Sequence, residues 1–276
     1  MCKLVLRLQP VSKVDLYNTN YGNSGDETYR AVRLDTYGQD FGQTSWTTLE
    51  EFGEITRALE LHRESSVLEI GCGAGGCAIH FAETVGCRIV GLDVNSEAIQ
   101  SAGGMAHGKA LSNQVNFLQH DVSKGLPFES SAFDAIYSND AFCHIPNRLG
   151  FLRECLRVLK PHARIIFSDA LVITGALSNE ELATRTSIGH FLIVPQGENE
   201  RLLKEAGFEI LRSDDTTPNA AAIAKRWHDA RARRKTALVA IEGESNFTGL
   251  QRFLLCVHSL TSEKRLSRFL YLAAKP

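Results

Sequence analysis

The chain has 276 residues and a mass of 30.4 kDa, the size of one large domain, or of one domain with an appendage, more than of two equal domains. Thirty Lys+Arg stand against 32 Asp+Glu, a formal charge of −2, which argues against a general nucleic-acid or membrane-surface binder. No run approaches the roughly 20 apolar residues of a bilayer span, and the opening stretch to Pro10, broken by Arg7, is too short for a signal-peptide core.

Taken in chain order, residues 1–45 are polar, with Tyr17, Tyr21, Tyr29, Tyr37 and Phe41 among Gly and Asn. They read as a cap carrying one helix at about 27–37, and a second helix is expected from Thr48 to about His62, capped by Thr47 or Thr48. From Ser66 the pattern becomes regular. Apolar runs at 67–70, 88–92, 115–118, 135–137 and 165–167 read as buried strands, with helices expected at 75–85, 97–110 and 148–159. Strand alternating with helix predicts an α/β class, a Rossmann-like doubly wound sheet of seven strands. Residues 174–195 are a mixed insertion, 197–206 a helix closed by Gly207, 208–212 a strand, 219–240 and 247–260 helices, and 267–272 the last strand. The organisation expected is a cap or lid over 1–47 and one domain over 48–276, with a lid insertion at 174–195 and a helical insertion at 219–262.

The strongest local signal is the run from Val67 to Gly76, a buried strand entering a glycine-rich turn before a helix. Glycines permit positive φ and close approach of backbone to a ligand. The spacing of Gly71, Gly73 and Gly76 also satisfies a dinucleotide fingerprint, so a nicotinamide cofactor is a rival at this point. Three features favour S-adenosylmethionine instead. Glu69 lies two residues before the first glycine, where a carboxylate can meet an ammonium; some 65 residues precede the domain; and a further strand ends in an acid, Asp121.

With these features the sequence resembles the class I S-adenosylmethionine-dependent methyltransferases over roughly residues 40–275. The resemblance implies that the loop at Gly71 and Gly73 holds the methionine portion. Asp93 follows Gly73 by 20 residues, the spacing at which a carboxylate ending the second strand reaches ribose hydroxyls. Val94 is then expected to pack on adenine, Asp121 to accept from its amino group and Val122 to donate a backbone N–H. Capping or turn roles are the plain alternatives for both aspartates.

The segment from Tyr137 to Pro146 is similar to its counterpart in phosphoethanolamine and in sarcosine and dimethylglycine methyltransferases, where an Asp is followed four residues later by His. By that resemblance Asp140 and His144 are candidate catalytic residues. An N-terminal tyrosine joins them, for which Tyr21 is the candidate and Tyr17 and Tyr29 the alternatives. Asn139, counted with the cofactor-binding set, stands where a basic residue is often found, which weakens the case for a phosphorylated acceptor. The segment from Phe41 to Thr48 is similar to the Gly-Gln-x-Ser-Trp run of the sarcosine and dimethylglycine enzymes, implying that Gln43 lies beside the sulfonium.

The remaining signals have plain readings. A basic stretch from Lys225 to Lys235 is read as a solvated helix face, not a nucleic-acid site. The histidines show no ligand spacing, so no metal is assigned. The seven cysteines are scattered without a Cys-x-x-Cys pair, which argues against a disulfide framework and for a cytoplasmic protein. The expectation is methyl transfer from S-adenosylmethionine to a small-molecule acceptor, foremost an amine. O- or C-methylation, or cofactor binding without transfer, are the alternatives.

Overall fold

The computed structural model describes residues 14–276; Cys2, the opening stretch to Pro10 and the start of the expected cap lie outside the described residues. Five strands form a parallel core: β1 (Ser66–Ile70), β2 (Arg88–Asp93), β3 (Val115–Gln119), β4 (Phe133–Ser138) and β5 (Leu159–Ile173). The sheet runs β3-β2-β1-β4-β5 and is completed by β8 (Leu266–Ala274) and β7 (Glu209–Asp215), with β8 antiparallel to both neighbours. This is the expected sheet of seven strands, with a two-residue strand β6 (Val194–Pro195) added beside β5. Adjacent residues of β1 face opposite layers: Leu68 packs with Ile136, Phe151 and Leu203, and Val67 with Ile55, Phe81 and Ile166. Burial on both faces is why these strands read as continuous apolar runs.

Helices α3 (Leu49–Ala58), α4 (Gly76–Val85), α5 (Ser96–Gly108), α6 (Arg148–Val158) and α8 (Glu198–Ala206) fall close to their expected positions. Thr48 caps α3, accepting from Glu51 N–H at 3.2 Å. The cap holds α2 (Glu27–Tyr37), as expected, and a shorter α1 (Tyr17–Gly22), which was not. Six residues with no side-chain cap carry too little periodicity to read. The insertion at 174–195 also contains an unforeseen helix, α7 (Asn179–Arg185), opened by a Ser178/Glu181 capping box.

Two boundaries differ. The helix expected over 219–240 is two, α9 (Thr217–Ala232) and α10 (Lys235–Glu242), parted where Arg233 and Arg234 both reach Asp35 at 2.9 and 2.7 Å. The fifth strand is longer than the 165–167 run at both ends: Pro161 is accommodated in a bulge between the Phe133↔Leu159 and Ala135↔Arg164 pairs, and the far end pairs with β8 and β6. The basic stretch is largely paired within the chain: Lys225 with Asp229, Arg231 with Glu242, and Lys235 with Glu244.

Cap and C-terminal helices share one apolar cluster. Val14, Leu16, Tyr29 and Val32 pack with Ile223 and Trp227 of α9 and with Leu250 and Phe253 of α11 (Glu244–Ser262). That cluster lies over the carboxyl ends of the parallel strands, where the register aligns Ile70 with Leu92 and Ser138. Among the described residues no helix is long and apolar enough to cross a membrane.

Candidate functional site

A cavity of about 580 Å³ opens at these strand ends, under α1 and the 174–195 insertion. Its floor is the turn after β1. Gly71 and Gly73 adopt left-handed φ of +70° and +53°, and a Cβ on Gly71 would collide with that of Ala141. Gly71 and Cys72 N–H both donate to Leu92 C=O, at 2.8 and 3.0 Å, which staples the turn to the end of β2. Asp93 braces it from the same strand, accepting from Gly73 N–H and Asn95 N–H, each at 2.9 Å. Burial raises the Asp93 pKa, against the pull of these N–H donors.

Glu69 is buried in the cavity wall, and its Oε2 has no hydrogen-bond partner. Desolvation pushes its pKa well up, and the Asp93 charge adds to the effect. An orphaned carboxylate oxygen here calls for a donor from a ligand, and a cationic one best satisfies it. An ammonium-bearing ligand lying along the bare glycine backbone fits this end.

Further along the same edge, Val94 stands exposed at the cavity mouth and Val122 is half-buried beside it. Asp121 caps a short 3-10 turn, accepting from Ser123 N–H at 3.0 Å and Ser123 O–H at 2.6 Å. Those two donors, with Lys124 nearby, hold its carboxyl below the usual range.

The other end of the cavity centres on His144, in the 3-10 turn after β4. Its Nδ1 lies 2.8 Å from His190 C=O, which can only accept, so Nδ1 carries the proton. In the neutral ring Nε2 is then the acceptor, and Tyr17 O–H donates to it at 2.8 Å. Burial lowers the His144 pKa, favouring that neutral form, and burial pushes the Tyr17 phenol up, so both groups are uncharged near pH 7. The structure places Tyr21 elsewhere, against Gly73 and beneath Tyr17, with the two rings 6.0 Å apart. Tyr29 is turned away and donates to Glu242 at 2.7 Å. The tyrosine brought to His144 is therefore Tyr17, one of the two alternatives, and not Tyr21.

Asp140 lines the cavity, yet its carboxylate is engaged on both oxygens. Oδ1 accepts from Arg268 Nε and Ser168 O–H, each at 2.8 Å, and Oδ2 accepts from Trp46 N–H at 2.9 Å. Asn139 Oδ1 accepts from Thr47 O–H at 2.7 Å and from Arg268 at 3.2 Å. Arg268 is fully buried and also meets Glu51 at 2.5 Å, so one cation ties β8, α3 and the turn after β4 together. Gln43 folds its own loop, donating to Gln39 C=O at 2.7 Å and accepting from Phe41 N–H at 2.9 Å. Its side chain shapes the wall.

Arg268 and Arg185 are the residues sequence reading missed. A charged residue inside the apolar strand Leu266–Ala274 was a readable sign of a buried ion pair. Arg185, last residue of α7, enters the cavity from the insertion and had no comparable signal.

A parallel sheet with one antiparallel partner, and a glycine cradle faced by an orphaned carboxylate at its carboxyl edge, define the methyltransferase type of doubly wound fold. Comparison with known proteins agrees. Residues 68–167 match the family described as "Methyltransferase domain". Phosphoethanolamine N-methyltransferase 3 of Arabidopsis thaliana is 28% identical over 225 residues, covering 82% of this chain and 44% of that protein. The 27-O-demethylrifamycin SV methyltransferase of Amycolatopsis mediterranei is 27% identical over 256 residues, covering 87% and 91%. Among solved structures, Haemonchus contortus phosphoethanolamine N-methyltransferase 2, with phosphomonomethylethanolamine and S-adenosylhomocysteine bound, superposes with a TM-score of 0.78 at 20% identity. That likeness covers 95% of this chain and 61% of the other. The chain spans about half the length of several curated relatives it matches. Residues 68–167 thus match a methyltransferase domain, the fold around them is that of S-adenosylmethionine-dependent methyltransferases, and S-adenosylmethionine is the cofactor that this site fits.

Proposed function

We propose that this protein methylates a small-molecule amine. One observation carries the reading: a neutral Tyr17–His144 pair, joined at 2.8 Å, stands across the cavity from the glycine cradle. An amine near neutral pH is largely protonated, and its lone pair is free to attack only after that proton leaves. Bound S-adenosylmethionine supplies an electrophilic methyl group on its sulfonium. Tyr17 O–H is already donated to His144, so its oxygen lone pairs accept from the acceptor's N–H. As that proton arrives, Tyr17 passes its own to His144 Nε2, and His190 C=O holds the imidazolium that results. The walls around the pair, Phe191 and Trp46 among them, exclude water.

For the cofactor, Glu69 takes the ammonium, Gly71 and Gly73 leave room for the methionine portion, and Asp93 takes the ribose. Val94, Asp121 and Val122 bound the adenine, while Gln43 and Asn139 shape the wall near the sulfonium. Asp140, expected to be catalytic, is proposed as a positioning residue because its carboxylate is engaged with Arg268, Ser168 and Trp46. Tyr21, likewise expected to be catalytic, is proposed to back the glycine turn. Residues 14–47 and 174–195 act as the lid, which suits a metabolite better than a folded protein. Six free thiols among the described residues support a reducing, cytoplasmic setting.

A hydroxyl acceptor is the second reading. The near full-length match to the Amycolatopsis enzyme favours it, and the same pair can take a hydroxyl proton. Incubating the whole chain with S-adenosylmethionine and a panel of amines, phenols and carboxylic acids, then reading product masses, tests both. Amines should gain a methyl group. Methylation confined to hydroxyls would move the assignment to oxygen, and no methylated product would contradict transfer.

A further inference from the structure

Arg185 is 3% exposed, lines the cavity, and has no partner for Nε or Nη1. Its guanidinium lies 5.0 Å from the Phe191 ring centre and 5.3 Å from that of Phe253. Phe191 also packs on His144, with ring centres 4.4 Å apart, so the arginine and the proposed proton acceptor share a neighbour. The titratable groups facing Arg185 include Cys143, Tyr17, Cys256 and Asp140, and neutral His144 lies on the far side of Phe191. Burial pushes the two thiols and the phenol up, Cys256 to about 11, so none is charged near pH 7. Asp140 is already paired with Arg268. Arg185 is thus a desolvated cation, cushioned by two aromatic faces, and at its end of the cavity the one carboxylate, that of Asp140, is already engaged. Such a charge is costly unless something arrives to pair it.

We infer that Arg185 is a specificity-determining residue that seats a carboxylate of the acceptor, so that the substrate class is an amphipathic amine carrying a carboxylate group. This inference rests on the methyltransferase reading above. A planar carboxylate matches the guanidinium fork with two parallel hydrogen bonds. A phosphate dianion fits less well, because Arg185 is the one Lys or Arg among the described residues lining the cavity. Trp46, Ile188 and Trp227 leave apolar wall for the acceptor's body.

The test is a calorimetric titration of the whole protein, first with S-adenosylhomocysteine and then, at saturation, with benzoate, benzamide or inorganic phosphate. Benzoate should bind about ten-fold or more tightly than benzamide, whose shape is the same and whose charge is absent. Arg185→Met should erase that preference and leave S-adenosylhomocysteine affinity unchanged, while Arg185→Lys should keep part of it. With its unpaired charge removed, the Arg185→Met protein without ligand should melt higher than wild type. Equal affinities for benzoate and benzamide, or no binding of either at millimolar concentration, would overturn the inference. Phosphate binding more tightly than benzoate would overturn it in favour of a phosphorylated acceptor. If Arg185→Met fails to fold, the wild-type pair of probes and Arg185→Lys still decide. Absence of S-adenosylhomocysteine binding strikes the methyltransferase reading, whereas cofactor binding without a benzoate preference strikes Arg185 alone.

Discussion

The two ends of the cavity are built differently. The cradle end is made of consecutive strand ends and main-chain N–H groups: Gly73 follows β1, its brace Asp93 ends β2 only 20 residues on, and the two strands pair directly. The His144 end is assembled from remote pieces, with Tyr17 lying 127 residues away and His190 46 residues away along the chain. The first end is fixed once two neighbouring strands pair. The second exists only when the cap, the turn after β4 and the insertion close together. A sheet edge can therefore stay constant while the chemistry beside it is changed by substituting lid residues.

The largest expected effect separates the two ends. His144→Ala should lower methyl transfer by about 10²–10⁴-fold, the range for losing a general base, with cofactor affinity unchanged. A matching loss of cofactor affinity would show that the ends are not independent. The pH profile sharpens the same point. Neutral His144 is the competent form, and burial moves its pKa below the ordinary 6.5. The transfer rate should therefore fall as pH drops through that lowered pKa, separately from the titration of the acceptor amine at higher pH, so a profile with no inflection below pH 6.5 would contradict the assignment.

Next in size is Asp140→Ala, which leaves the buried Arg268 with Glu51 but without its second carboxylate. Denaturant unfolding should show a loss of about 3 kcal/mol, the low end for breaking a buried ion pair. A stability like that of wild type would argue that Asp140 serves the reaction and not the scaffold. Asp93→Ala should cost about 1–3 kcal/mol of S-adenosylmethionine affinity by calorimetry, and unchanged binding would remove the ribose assignment. Asp121→Ala should cost least, about 0.5–1 kcal/mol, because Ser123 already occupies one of its oxygens at an exposed site.

The same contrast explains what the sequence could disclose. The strands, the glycine turn and Asp93 are legible because their signals are local: an apolar run, a turn residue, a fixed spacing. The His144 motif is readable for the same reason, being one continuous segment with Asp140. Its partner is not. Tyr17 and Tyr21 lie four residues apart on one short helix, and only the docking of α1 decides which meets His144 and which meets Gly73. The engagement of Asp140 is not legible in the sequence, because Arg268, which claims its carboxylate, lies 128 residues away. Arg185 looks like an ordinary end-of-helix arginine, and its lack of partners is a fact of packing alone.

The central claim is that a proton leaves the acceptor through Tyr17 to His144. Single-turnover methyl transfer with cofactor already bound tests it most directly, comparing wild type with Tyr17→Phe on a methyl-accepting amine. Removing one phenol oxygen should slow the transfer by two orders of magnitude or more while S-adenosylhomocysteine binds both proteins equally. Equal single-turnover rates in the two proteins would contradict the account.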